Sequence, residues 1–329
     1  MSRLVPRALV ALLLVACSAT HPRGAPIPPP VAVAVPVPAP VPTEAAVPVG
    51  APHGRTFRGH PEDELLQAMA TRPVERVIER FNSSTLVFHI ALEGGLEIAF
   101  KPARRGEGNW WRHEIAGYRL ARALGIEHRV PPAITRRVPL SAFHGFTRGA
   151  RLVVSGPGRT VEGAAIFWMP VLHHSHLETD AAARAWNTWF DPTRPVPPEH
   201  RVVAEQLASL LVLDYLDANF DRWNAANTPV DEHGDLVLRD NNRAWYTQNL
   251  RLTDRGGIDQ IRRIPAWLLA GVSAATGPVV RAAIEADPGR KHGGLSPRDY
   301  DLYEARRRVL LDHLWELIGR YGRDAVVAW

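Results

Sequence analysis

The chain has 329 residues, of which 46% are hydrophobic and 22% charged, enough apolar material for a core of ordinary size. Its formal net charge of +5 is mild and no basic run is interleaved with aromatic residues, which argues against nucleic acid as a partner. The single cysteine, Cys17, leaves no internal disulfide framework.

A basic start, an apolar run from Ala8 to Ala16 and small residues before Cys17 read as a secretory signal over residues 1–16. The run is too short to cross a bilayer as a helix. Cys17 falls where a bacterial lipobox places its lipidated residue, so the sequence predicts a lipoprotein held to the membrane by acyl chains on Cys17. Ser18 after it, rather than Asp, favours the outer membrane of the cell envelope. Residues 17–52 are dominated by Pro, Ala and Val. Alternating proline blocks helix and ladder alike, which predicts an extended tether.

Residues 53–170 read as a small lobe. Pro61 to Phe81 is predicted to be an amphipathic helix kinked near Pro73, with Leu65, Leu66, Met69, Val74, Val77 and Ile78 on its apolar side. Strands follow over 85–92 and 96–100, joined by a Gly94-Gly95 turn. A helix over Trp110–Leu124 closes at Gly125. Further strands are expected over 134–138, 151–154 and 163–169. Residues 171–329 read as a mainly helical lobe. The stretch 173–198 is expected to be a surface insertion, and its His173-His174-Ser175-His176 run a solvated loop. A helix over 199–217, a short strand ending at Asp240, and helices near 259–272, 276–286 and 296–321 complete the reading. The expected class is α+β, two lobes, an antiparallel sheet and a helical body.

The residue types point to phosphoryl transfer. Lysine occurs only at 101 and 291, so each marks a position where arginine does not serve. Lys101 ends a strand and can contact nucleotide phosphates as a point charge. Glu114, in the first turns of the next helix, can pair with it. Glu107 competes from a glycine-flanked loop. Asp221 lies in the irregular segment after a long apolar helix, where a carboxylate can orient the proton of an attacking hydroxyl. Asp214 and Asp217 are its rivals. Asn224 and Asn227 offer amide oxygens to Mg²⁺, and Asp240 is the candidate for the metal that bridges phosphates. Each also has a bland reading as a turn, cap or solvated residue.

The segments Phe100-Lys101-Pro102, His113 to Ile126 and Asp214 to Arg222 resemble the atypical kinase group, which includes secreted Golgi casein kinases, phosphatidylinositol kinases and HipA-like bacterial kinases. Val237 to Trp245 is similar to the secreted kinases' Asp-Asn-Gly-Arg-Ala-Phe element. The likeness covers roughly residues 82–250. It implies a two-lobed kinase-like fold with ATP and Mg²⁺ or Mn²⁺ as cofactors. By it, Lys101 binds phosphates, Glu114 pairs with Lys101, Asp221 is the catalytic aspartate and Asp240 binds metal. Trp168 and Met169 would sit in the interlobe hinge near the adenine. The sequence departs from the pattern at Ala226, where kinases often place a metal-binding asparagine, so Asn224 or Asn227 would have to substitute. Asn242 stands in place of the element's glycine. Phe81 to Thr85 offers only backbone N–H groups in place of a Gly-rich loop. The expectation is an exported, membrane-anchored phosphotransferase acting on a hydroxyl of a protein, lipid or sugar. A pseudokinase and a structural envelope lipoprotein are the alternatives.

Overall fold

In the strand Leu86–Leu92 (β4), Phe88, Ile90 and Leu92 alternate toward one buried side, the period-two pattern of a sheet packed on a core. The computed structural model describes residues 55–82, 85–106, 110–146, 153–224, 227–245, 257–289 and 294–329. Cys17, the signal and the tether fall outside them, as do Glu107 and Lys291. Residues 52–329 form one compact unit.

The unit starts with a two-strand hairpin, Thr56–Phe57 (β1) and His60–Pro61 (β2), and the helix Glu62–Thr71 (α1). Next come the strand Val74–Asn82 (β3), β4, the strand Leu96–Pro102 (β5) and the helix Trp110–Leu124 (α2). Three more strands follow, Ala133–Pro139 (β6), Ser155–Gly156 (β7) and Thr160–Phe167 (β8). They make an antiparallel sheet in the order β3-β4-β5-β8-β6, with β7 on β8. Phe88, Phe100 and Phe143 meet beneath it, with ring centroids 4.7 and 6.1 Å apart. Such pairs add about 0.5–1.5 kcal/mol beyond the area they bury.

The expected long helix over 61–81 is corrected. It stops at Thr71 because Pro73 forces the residue before it out of helical conformation, and 74–82 is a strand. Val74 and Val77 misled the periodicity. The register of β3 shifts between Val74 and Arg76 and again between Val77 and Glu79, so these valines pack on the core at a spacing that mimics a helix. The expected strand over 151–154 lies partly outside the described residues; within them Val153 makes a bridge with Arg104 before β7.

The second lobe is helical. The stretch 173–198 is more than a surface insertion. His173–His174 (β9) pairs with Pro229–Val230 (β10), and Asp180–Trp189 (α3) buries Trp186 fully. Thr179 caps α3, its hydroxyl oxygen accepting the N–H of Ala182 at 3.3 Å. The apolar helix Arg201–Asp217 (α4) runs through the centre, with Leu207, Leu210, Leu211 and Leu213 all buried. Ala266–Ala274 (α5), Gly277–Glu285 (α6), Pro297–Tyr321 (α7) and Arg323–Val326 (α8) close the body. No regular strand leads into Asp240. Leu236 makes a single bridge to Val230, and the Leu238 N–H bonds the Arg129 carbonyl at 2.8 Å.

Candidate active site

Strand β5 presents Ala99 and Lys101 on one side, paired with Ile166 and Ala164 of β8. Lys101 is only 9% exposed. Its ammonium donates to Glu114 Oε1 in a short bond and to Asp240 Oδ1 at 2.5 Å. Three elements therefore converge on one nitrogen. Glu114 is 3% exposed, and its other oxygen accepts the Asn241 backbone N–H at 2.9 Å. Its helix comes close enough for this because the next turn carries Gly117. A Cβ there would lie 2.8 Å from the Asn241 Cβ.

Asp240 takes φ 60° and ψ 60°, a left-handed conformation that aspartate tolerates better than most residues. The turn after it, Asn241–Arg243, is held from two sides. From α2, His113 Nδ1 meets the Asn242 carbonyl at 3.1 Å. From the loop after α4, Arg222, 1% exposed, donates to the Asn227 carbonyl at 3.2 Å, to Asn241 Oδ1 at 2.5 Å and, in a short bond, to the Arg239 carbonyl. Its Nε lies 3.0 Å from both oxygens of Asp214. Arg222 directly follows Asp221 in the chain. The geometry gives its guanidinium to Asp214, because the fully buried carboxylate has the greater need of a charge.

Asp221 is half-buried. Its N–H bonds Asn219 Oδ1 at 3.1 Å, and Asn227 Nδ2 donates to its carbonyl at 2.9 Å and to its carboxylate at 3.4 Å. Asn224 is exposed and enters through its backbone, its N–H on Asp221 and its carbonyl on Asn227. Asp217 is fully buried, and its Oδ1 accepts the Asn219 N–H at 3.1 Å. Of the rival aspartates, 214 and 217 thus belong to the interior, and 221 is the one solvent reaches.

Electrostatics separates the roles further. Burial opposes the Lys101 ammonium, but the charges of Glu114 and Asp240 outweigh it and hold its pKa above the ordinary lysine value. Burial raises the Glu114 pKa, with Lys101 pulling against it. Burial works the same way on Asp240, yet Lys101 and Arg222 bring it below the usual aspartate value. Asp221 is raised, first by burial and then by the charge of Asp240. The two carboxylates therefore differ: Asp240 is held as the anion, and Asp221 leans toward taking up a proton.

Trp168 does not contact this group. Its indole stacks flat on His89, centroids 3.8 Å apart at 15°, and on Phe81 at 5.7 Å. The Trp168 backbone N–H bonds the Glu97 carbonyl at 3.2 Å, and the Glu97 carboxylate in turn meets His89 at 2.9 Å. Met169 is buried and lines a cavity of about 440 Å³ with Phe57, Arg58, His128 and Val237. Sequence reasoning missed His113 and Asn241. Each is the immediate neighbour of a singled-out carboxylate, which was the available signal.

Among the described residues no three His, Cys, Asp or Glu side chains converge as a ready-made metal cage, the His173 to His176 run included. The available donors are hard oxygens: the Asp240 carboxylate on Lys101, the Asp221 carboxylate, which feels the charge of Asp240, and the Asn227 amide oxygen, whose Nδ2 bonds Asp221. That set fits Mg²⁺ or Mn²⁺, since such ions are commonly bound by one or two carboxylates completed by phosphate oxygens.

No protein-family model and no curated protein matches the chain. Solved structures do. The Golgi casein kinase aligns over 80% of this chain and 79% of its own at 17% identity and TM-score 0.58. The same kinase with Mn/ADP bound aligns over 81% and 78%, again at 17% and 0.58. A hydra Fam20 with sugar aligns over 80% of this chain and 91% of its own at 17% and 0.59. With the antiparallel sheet, the helical second lobe and the residues gathered between them, the chain has the two-lobed α+β fold of the atypical kinases.

Proposed function

We propose that the chain is a phosphotransferase that moves the γ-phosphate of ATP to a hydroxyl acceptor. The observation that carries this reading is the Lys101 ammonium in contact with both Glu114 and Asp240, three side chains from a strand, a helix and a distant loop. Lys101 is the point charge for nucleotide phosphates, and Glu114 fixes its rotamer. Asp240, kept ionised by Lys101 and Arg222, would hold a divalent ion together with Asn227. That ion supplies neutralisation of charge on the transferring phosphoryl group. Asp221, with its raised pKa, orients the acceptor hydroxyl and takes its proton. The acceptor class is a hydroxyl of a protein, lipid or sugar. The likeness to a kinase solved with Mn/ADP supports the choice of nucleotide and ion.

The proposed setting is the cell envelope, with the outer membrane favoured: it rests on the signal-like residues 1–16, Cys17 at a lipobox position and the Pro/Ala/Val-rich stretch 17–52. An envelope setting is not expected to hold much ATP, and Ala226 stands where kinases often carry a metal-binding asparagine. Those two facts favour a second reading, a pseudokinase that binds nucleotide or a partner without turnover.

Thermal shift with ATP and Mn²⁺ tests binding, and transfer from labelled ATP to a generic acceptor tests turnover. We expect both in the wild type, and no transfer from Lys101→Met, Asp221→Asn or Asp240→Ala. Binding without transfer in the wild type selects the pseudokinase. Transfer that survives Lys101→Met and Asp240→Ala refutes the site.

A further inference from the structure

The segment before the sheet takes no part in this chemistry, yet it contacts the sheet, α2 and the second lobe. Phe57, 2% exposed, packs edge-on against Phe167 at the end of β8, centroids 5.4 Å apart, and His60 lies on the same ring at 6.3 Å. Arg58 crosses to the second lobe, donating to Glu232 at 2.8 Å and, in a short bond, to Asp231. Asp231 itself organises the turn there by accepting the N–H groups of His233 and Asp235 at 2.8 and 3.0 Å. Arg55 meets Glu127, after α2, at 3.4 Å.

Helix α1 then reaches α2. Glu62 is 1% exposed. It accepts a short bond from the Tyr118 hydroxyl and lies 3.3 Å from Arg122, while Asp63 accepts from Arg122 at 3.2 Å. The far end of α1 is held by buried Arg136 of β6, which donates to the Met69 and Arg72 carbonyls. These are the carbonyls that a helix C-terminus leaves without internal partners. Tyr118 follows Glu114 by one helical turn, so the two side chains lie on neighbouring positions of one face. The contact that fixes Tyr118 therefore also fixes where Glu114 points.

We infer that residues 55–72 form an interlobe brace, pinning the second lobe through Arg58, the hinge through Phe57 and the Glu114 helix through Glu62. The brace sets how far the lobes open and keeps Glu114 at Lys101. A signal that displaced it would disconnect the ion pair by moving α2. Its significance for turnover rests on the proposed function; its mechanical role does not.

Hydrogen exchange on the full chain tests it, using two variants that remove only polar ends, Tyr118→Phe and Arg58→Gln. Loss of one buried hydrogen bond corresponds to roughly tenfold faster opening. We expect Tyr118→Phe to speed exchange about tenfold across 110–124 while 297–321 is unchanged. We expect Arg58→Gln to speed it across 165–170 and 229–237. Uniform acceleration of all elements, or no local change in either variant, overturns the brace. A wild type that binds no nucleotide would refute the phosphotransferase and leave this readout standing.

Discussion

Arg222 Nε sits 3.0 Å from both carboxylate oxygens of Asp214, two almost fully buried charges that face each other beneath the Asp221 loop. The same guanidinium reaches the carbonyls of Asn227 and Arg239 and the side chain of Asn241. One side chain thus joins the central helix, the Asp221 loop and the Asp240 turn.

Arg222→Met leaves Asp214 buried without its cation and removes three further bonds. Breaking one partner of a buried pair costs about 3–5 kcal/mol, so a fall of that size is expected in urea denaturation. Asp214→Asn should fall by less, since it leaves a neutral group that still accepts a hydrogen bond.

Asp217 gives a pH signature of opposite sense to most aspartates. Burial, and then the neighbouring Asp214, hold its carboxyl well above the ordinary value of 3.8. In the unfolded chain it ionises near that ordinary value. Between the two pKa values the folded state keeps the extra proton, so its contribution is complete below the unfolded pKa and is lost as pH rises toward the folded one. Asp217→Asn removes this dependence. Its stability relative to wild type should rise with pH above about 4, by up to about 1.4 kcal/mol per pH unit, read from denaturation midpoints at pH 4 to 8.

Glu114→Gln keeps an acceptor for the Asn241 N–H but removes the charge opposite Lys101. The lysine then follows Asp240 alone. A misplacement on the ångström scale costs about 100-fold in rate, and kcat/KM for transfer should fall by that order while the chain stays folded by circular dichroism.

Gly117→Ala sets helix propensity against contact. Alanine improves a helix by about 0.8–1.0 kcal/mol over glycine. Here its methyl group would meet Asn241 at 2.8 Å, and the turn carrying Asp240 must shift. Overpacking costs about 1–3 kcal/mol, so a modest net loss of stability is expected with a larger loss of Mn²⁺ affinity, measured by thermal shift against metal concentration.

The two-lobed α+β class was legible in the sequence, the local course of the first lobe less so. Phe100-Lys101 and the Trp110 to Leu124 helix stood out because an almost lysine-free chain and an amphipathic run are strong local signals, and both lie where expected. The first sheet strand was read as helix because two register shifts disguise its period. The stacking of Trp168 on His89 could not be read from the chain, because the two rings come from positions nearly eighty apart and no local pattern pairs them. The Arg222 to Asp214 pair and the brace are likewise long-range or buried relationships, and spacing alone does not encode them. Asp240 was expected to close a strand. It occupies a left-handed turn instead, fixed by partners from α2 and the Arg222 loop.

The two outer strands of the sheet have a bearing on behaviour in a crowd. β3 is irregular twice and studded with Glu75, Arg76, Glu79 and Arg80, while β6 carries Arg136 and Arg137, stops at Pro139 and has α1 fastened beside it. Kinks, charges and proline are the features that stop a rim from templating an extra strand of another molecule. Copies gathered at high local density can therefore jostle without zipping into fibrils through this sheet.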